Sequence, residues 1–368
     1  METSIEHLVE EEIGRGTFPG IVALVRKEGK SVLSLVRGKR QLEPSPEQMT
    51  EETLFDLASV TKPLCTALLT LHLTAQEKIA LDRSIGEFVP LKSRDTAGIT
   101  LRQLLLHTGG LPPVPDIYLR FPDPDRIDPR EAEKFLLAVE PEQAADREVL
   151  YSCTGYLLLA QFLKKLSGRR LARLFAERIA GPCGIEDLLF NPGTELEGRC
   201  AATEFCRWRK RWIRGQVHDE NAYCLGGDGG NAGLFGTAGS VLELLGLFSS
   251  QGFLNGIQLL RPEEVRLMRT CFTEGLNFRR SIGFRMQDEE VLMGPLFGPS
   301  SFGHTGFTGT SVWIDPEQRL EIVVLTNRVH LGREPTDAKL KAFRKKIHSA
   351  IRRRWGGTVE QPLPHHGH

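Results

Sequence analysis

The sequence has no excess of charge of either sign: 47 Lys and Arg are balanced by 47 Asp and Glu. A dominant electrostatic partner, such as a nucleic-acid backbone or an anionic membrane, is therefore disfavoured, and recognition has to be local. Long hydrophobic runs are also missing, so no segment approaches the ~20 apolar residues of a membrane span. Met1 to Gly16 is acidic and holds no apolar stretch of the kind a secretory signal needs. A cytoplasmic location is the expectation. The seven cysteines, at positions 65, 153, 183, 200, 206, 224 and 271, are odd in number and nowhere spaced as CxxC. Neither a complete disulfide framework nor a zinc knuckle is indicated, and a reducing compartment fits. There is no fixed-period repeat and no extended low-complexity segment. His365, His366 and His368 read as a frayed tail rather than a metal site.

What remains is an ordinary globular composition, 40% hydrophobic and 26% charged over 368 residues, long enough for two domains. Gly20 to Lys30 and the segment from Ser31 read as strands rich in Val and Leu, joined as a hairpin through Lys27 to Lys30. From about Ala58 to Arg269 apolar residues recur at three- and four-residue spacing, in Leu64 to Leu73, Phe135 to Val139, Tyr156 to Leu166, Leu171 to Ile179 and Val241 to Phe248. Pro- and Asp-rich stretches such as Phe121 to Arg130 separate these helices. Strand signals return after Ser281, around Ile282, Thr310 and Glu321. A final helix is expected from Thr336, as N-cap, with Leu340, Phe343, Ile347 and Ile351 on its buried stripe. Its basic face, Lys339, Lys341, Lys345, Lys346 and Arg352 to Arg354, reads as solvated. The expected fold is α+β: an antiparallel sheet flanked by helices and built from both chain ends, residues 1–58 and 278–368. A large mainly helical domain, 59–277, is inserted between, with the active site at the interface.

Three segments carry chemistry. Phe55 to Leu64 contains Ser59-Val60-Thr61-Lys62, where an irregular segment enters a helix. Residues three apart share a helical face, so Lys62 can reach the Ser59 hydroxyl and act in its deprotonation. Pro63 is tolerated only in the first turn, which places Ser59 near a helix N-terminus, whose N–H groups favour a developing oxyanion. Tyr151-Ser152-Cys153 precedes a helix; its phenol is either a packing residue or a proton shuttle. His304-Thr305-Gly306 approaches a strand, with the Phe307 N–H available as a second oxyanion donor. His218 to Asn221, dense in polar residues before a Gly-rich loop, reads as a pocket rim beside Ser59. Its spacing matches no phosphate loop, and consecutive ligands such as His218, Asp219 and Glu220 rarely converge on one ion. No metal and no cofactor is expected.

Taken together in this order, SxxK, YSx and HTG resemble the serine β-lactamase and penicillin-binding-protein superfamily, in its class C-like, esterase-containing branch. LRQLLLHTGGLP from Leu101 and LFGTAGSVLEL from Leu234 resemble further family segments. The resemblance implies a β-lactamase/transpeptidase-like fold with Ser59 as acyl-accepting nucleophile, Lys62 as its partner and Tyr151 as proton carrier. It makes His304 a hydrogen-bond partner of Tyr151 or of a substrate carboxylate. The Ser59 and Phe307 N–H groups become the oxyanion hole, and Cys153, Thr305, Gly306, His107, His218 and Asn221 line the substrate site. Two departures matter. Cys153 replaces an asparagine and a thiol is a far weaker donor; His304 stands where many members have lysine, a permanent cation. Both point away from β-lactams and toward a small ester or amide as the acyl substrate. The alternative is a catalytically silent relative that binds a peptide or cell-wall fragment. The sequence leaves the oligomeric state open.

Overall fold

The strand-rich segments at the two ends of the chain resolve into one sheet. The computed structural model describes residues 4–288 and 293–357, so the histidine tail lies outside the described residues. The strands are β1 (Gly20–Lys27), β2 (Lys30–Gln41), β3 (Glu47–Gln48), β4 (Arg285–Met286), β5 (Phe302–Thr305), β6 (Ser311–Asp315) and β7 (Leu320–Thr326). They run antiparallel in the order β4-β5-β6-β7-β1-β2-β3, so the last strand lies beside the first. The β1–β2 hairpin turns through Glu28 and Gly29, both at positive φ, the conformation a two-residue turn with the right twist requires.

Period-two alternation sends the two faces of the sheet into different cores. Ile21, Ala23, Val25, Ile322 and Val324 pack with helices α1 (Ile5–Gly14) and α5 (Arg333–Trp355). Val22, Val323, Leu325 and Val312 face the helical layer. That layer includes α2 (Leu68–Gln76), α3 (Cys153–Ser167) and α4 (Ala238–Ser249). Helix α4 is capped by Thr237, whose hydroxyl accepts the Ser240 N–H. Covered on both sides, β7 is buried along its whole length.

Several expectations need correction. Helix α5 starts at Arg333, after Gly332, and Thr336 is not its cap; Pro335 fits inside the first turn because no N–H is needed there. Thr336 is buried and accepts a hydrogen bond from Arg328. The basic face is not wholly solvated: Arg352 is buried against Asp315. The inserted region also carries a small three-stranded sheet, in which Leu188–Phe190 and, from the first chain end, Phe55–Asp56 flank Leu234–Gly236. Strands of two or three residues are too short to show alternation in a sequence. Among the described residues no helix is long and apolar enough to cross a membrane.

Candidate active site

The turn that carries Ser59 is built by Asp56. One oxygen of this buried carboxylate accepts the Ala58 N–H at 2.8 Å and the other the His218 N–H at 2.6 Å. Burial pushes the Asp56 pKa up, against the pull of these two N–H groups. Ala58 is held at φ +46°, a left-handed conformation costing ~1–2 kcal/mol for a residue with a Cβ, and the chain then enters a 3-10 turn at Ala58–Val60. A wide π-helical turn follows at Lys62–Ala67, with Pro63 at its start, where the missing N–H costs nothing. Strand, strained turn and helix together lift Ser59 to the surface of the site.

Lys62 is fully buried, and its Nζ has three acceptors: Ser59 Oγ at 3.0 Å, the Asn231 carbonyl at 2.9 Å and Cys153 Sγ at 3.4 Å. The expected reach from i to i+3 is present. Burial works against the ammonium, but Cys153 and Tyr151, as potential anions, outweigh it and hold the Lys62 pKa above the ordinary lysine value.

Tyr151 and Cys153 flank Ser152, whose hydroxyl caps α3 by accepting the Gly155 N–H. Cys153 is thus the first residue of that helix. The Tyr151 ring is partly buried among four groups: Lys62 Nζ lies 5.0 Å and Arg280 Cζ 5.2 Å from its centroid, and the rings of His107 and His304 lie at 4.6 and 6.0 Å.

The HTG segment ends on an unpaired strand edge. Strand β4 pairs only with Phe302 and Gly303, leaving His304 and Thr305 without a neighbour on that side. An added Cβ on Gly306 would fall 2.1 Å from Thr310 Oγ1 and 2.5 Å from the Leu57 carbonyl, so only glycine lets this backbone approach the serine turn. Thr308 and Thr310 fasten the contact, donating to the Asp56 and Leu57 carbonyls at 2.7 and 2.9 Å. Among the described residues the Phe307 N–H has no acceptor. Its ring is 46% exposed, stacked on His218 at 5.6 Å with Arg328 above it at 4.8 Å.

Four residues differ from expectation. His304 is buried; burial first, then Arg280 and Lys62, push its pKa well below the usual histidine value. It is neutral, and its Nδ1–H donates to its neighbour's carbonyl on Thr305 at 2.9 Å. No hydrogen bond joins it to Tyr151, and it supplies no charge for a carboxylate. His107 does not line the site: it lies behind Tyr151, accepting the Ser152 N–H on Nδ1 at 3.0 Å, and burial keeps it neutral as well. His218 is committed to Glu204, at 3.0 Å from Nε2, and to the underside of Phe307. Asn221 is buried and accepts the Tyr118 N–H at 3.3 Å. The polar density that marked His218 to Asn221 as a rim is spent on internal hydrogen bonds. Thr305 and Gly306 do stand at the site.

Three contributors had no signal. Asn231 acts through its carbonyl, Asp56 through two backbone N–H groups, and Arg280 is a single arginine brought beside Tyr151 by folding. No group of three His, Cys, Asp or Glu placed to hold a metal occurs among the described residues.

A strained serine turn, a lysine three residues on, a tyrosine at a helix start and an HTG strand edge define a class of acyl-accepting serine site. Residues 5–345 match the Beta-lactamase family model, and the chain belongs to that family. Two relatives are similar over most of the chain. One, from Escherichia coli K12 and provisionally named a D-alanyl-D-alanine carboxypeptidase, is 28% identical, covering 89% of this chain and 82% of its own. The other, the N-acetylmuramyl-L-alanine amidase of Bacillus subtilis 168, is 29% identical, covering 89% and 80%. Among solved structures, EstCE1, a hydrolase with promiscuous acyltransferase activity, shares the fold with TM-score 0.70 and 22% identity, over 93% of this chain and 97% of that one.

Proposed function

We propose that the protein is a serine hydrolase that forms an acyl-enzyme on Ser59 from a small ester or amide and releases the acid to water. The observation that carries this reading is the Lys62 ammonium held 3.0 Å from Ser59 Oγ. With its pKa raised, Lys62 is the cation that orients Ser59, and Tyr151 is the proton carrier. Ser59 Oγ attacks the acyl carbon as its proton passes to Tyr151. The tetrahedral oxyanion is received by the N–H groups of Ser59 and Phe307, and the proton goes on to the leaving group. Water, deprotonated by the same residue, then cleaves the ester on Ser59.

The site supports esters ahead of amides. Cys153 offers no amide donor to a substrate side chain, and neutral His304 offers no cation. Both relatives' names describe amide hydrolysis, which the same two-step chemistry performs. The cysteines are free among the described residues, which supports a reducing compartment such as the cytoplasm. The missing asparagine also favours a second reading, a pocket that binds without turnover.

Intact mass after exposure to a fluorophosphonate, with p-nitrophenyl ester turnover in parallel, tests the two. A single adduct and turnover, both lost in Ser59→Ala, are expected. Absence of any adduct on the wild type, or turnover unchanged in Ser59→Ala, overturns the enzyme reading.

A further inference from the structure

We propose that Arg344 is a positioning residue for the oxyanion hole: through the Gly306 carbonyl it aims and polarises the peptide group that carries the Phe307 N–H. The inference rests on the hydrolase reading above and deepens it. Arg344 stands on α5, which packs on the sheet face opposite the helical layer. Its Nη2 donates to the Gly306 carbonyl at 3.0 Å and to the Thr310 carbonyl at 2.8 Å. These residues are the two ends of the turn that joins β5 to β6, and the Gly306 N–H closes that turn on the Thr310 carbonyl at 2.7 Å. One nitrogen thus clamps both ends. A trans peptide is planar, with its C=O and N–H pointing opposite ways, and the Gly306 carbonyl and Phe307 N–H belong to one such unit. Holding the carbonyl on Arg344 therefore turns the N–H away from α5, where among the described residues it meets no acceptor. The neighbouring carbonyls are held in the same way: Phe307 accepts Arg328 Nε at 3.0 Å, and Gly309 accepts the Thr326 hydroxyl at 3.1 Å.

Charge sets this clamp apart from an ordinary turn fastening. Arg344 is 7% exposed, and its Nε has no hydrogen-bond acceptor. The carboxylate whose charge reaches it, Asp337, is engaged by Lys341 at 2.8 Å and lies 3.6 Å from Arg328. Burial, then Arg328, pull the Arg344 pKa down to about 9, so it is still a cation at neutral pH. Among the described residues it makes no ion pair. A neutral donor would fasten the same two carbonyls with a smaller desolvation cost, so turn stability alone does not account for a guanidinium here. A cation on a carbonyl draws electron density through the amide and makes the N–H at its other end a stronger donor to an anion. That gain is greatest when negative charge develops on the substrate oxygen, and the donor is already aimed when it does.

The test compares Arg344→Met and Arg344→Lys with the wild type by p-nitrophenyl ester kinetics, by inhibition with phenylboronic acid, and by the Phe307 amide resonance. The resonance is read in protein carrying isotope-labelled phenylalanine and assigned with Phe307→Leu. Ser59 Oγ adds to the trigonal boron, its proton leaves to solvent, and the tetrahedral boronate anion carries an oxygen into the oxyanion hole. In Arg344→Met kcat is expected to fall about tenfold, short of the ~10²-fold that losing a donor outright costs, with KM within about twofold. The inhibition constant for phenylboronic acid should rise in step with that fall. The Phe307 amide nitrogen should move upfield, because a donor on the preceding carbonyl deshields it. Arg344→Lys keeps the charge on a single-point donor and should return part of each change; it carries the same comparison where Arg344→Met does not fold. A loss confined to KM, or a fall in kcat with the inhibition constant unmoved, makes the clamp structural only and overturns the proposal. So does an unmoved Phe307 resonance. The resonance needs no turnover: a wild type that neither hydrolyses ester nor takes up boronate refutes the hydrolase reading, and a shifted resonance still keeps the Arg344 hold on the peptide. An active enzyme whose kcat and resonance are both indifferent to Arg344 does the reverse.

Discussion

Cys153 Sγ lies 3.4 Å from Lys62 Nζ, so one buried ammonium is shared between the serine hydroxyl and a thiol that opens a fifteen-residue helix. Where an asparagine would hold the lysine and reach out to a substrate amide, the thiol does only the first. On the hydrolase reading proposed above, a thiol here would keep the lysine in place and give up amide recognition.

Cys153→Asn should restore that recognition. The ratio of nitrocefin or D-alanyl peptide acylation to p-nitrophenyl ester turnover is expected to rise at least tenfold, of the size expected when a hydrogen-bond donor is gained in a buried site. Cys153→Ala should leave ester turnover within about tenfold of wild type. Acylation rates followed by intact mass supply both comparisons.

Lys62→Met keeps the stem and removes the charge. A loss of about 10³ in kcat/KM is expected, since Ser59 loses its one cationic neighbour at hydrogen-bond distance among the described residues. The melting temperature should not fall in proportion, because a buried cation has a large desolvation cost of its own. Differential scanning calorimetry beside the kinetics checks this; parallel collapse of both quantities would contradict it.

Gly306→Ala tests the contact between the HTG edge and the serine turn. The new Cβ must displace Thr310 or the Leu57 carbonyl, which lie 2.1 and 2.5 Å from its position. Overpacking of this kind costs ~1–3 kcal/mol. Moving the Phe307 N–H should lower kcat by ~10²-fold with little change in KM, the pattern of a lost oxyanion donor.

Acid should act on stability in two stages. His107, His304 and His348 have depressed folded pKa values, His348 at about 4, chiefly through burial, so each is neutral in the fold and gains a proton on unfolding. Their contribution is complete above pH ~6.5 and is lost as the pH falls toward the folded values. For His348 this is on the order of 3 kcal/mol. Below pH ~4.5 a second loss begins at Glu47 and Glu204, both held at about 2. At Glu47 hydrogen bonding from Arg214 is the main cause; at Glu204 burial opposes the shift, and His218 and Arg333 overcome it. Urea midpoints from pH 8 to pH 4 should show the first stage, with a shallower slope in His348→Gln.

The sequence by itself determined the sheet built from both chain ends, the helical layer between, and the Ser59–Lys62 pair. Each is a local or periodic signal: runs rich in Val, Leu and Ile along β1 and β7, repeats of three and four along α3 and α4, and an i to i+3 reach across one turn. It also marked Tyr151 and the HTG edge, though only in combination. Tertiary structure decided the rest. It made His304 and His107 neutral by enclosing them, turned His218 and Asn221 inward, and put Asp56, Asn231 and Arg280 at the site. None of these could be read locally, because burial, and with it charge state, depends on what folding packs against a side chain. Arg280 and Tyr151 are 129 positions apart in the sequence, and only the closed fold brings the guanidinium to the ring.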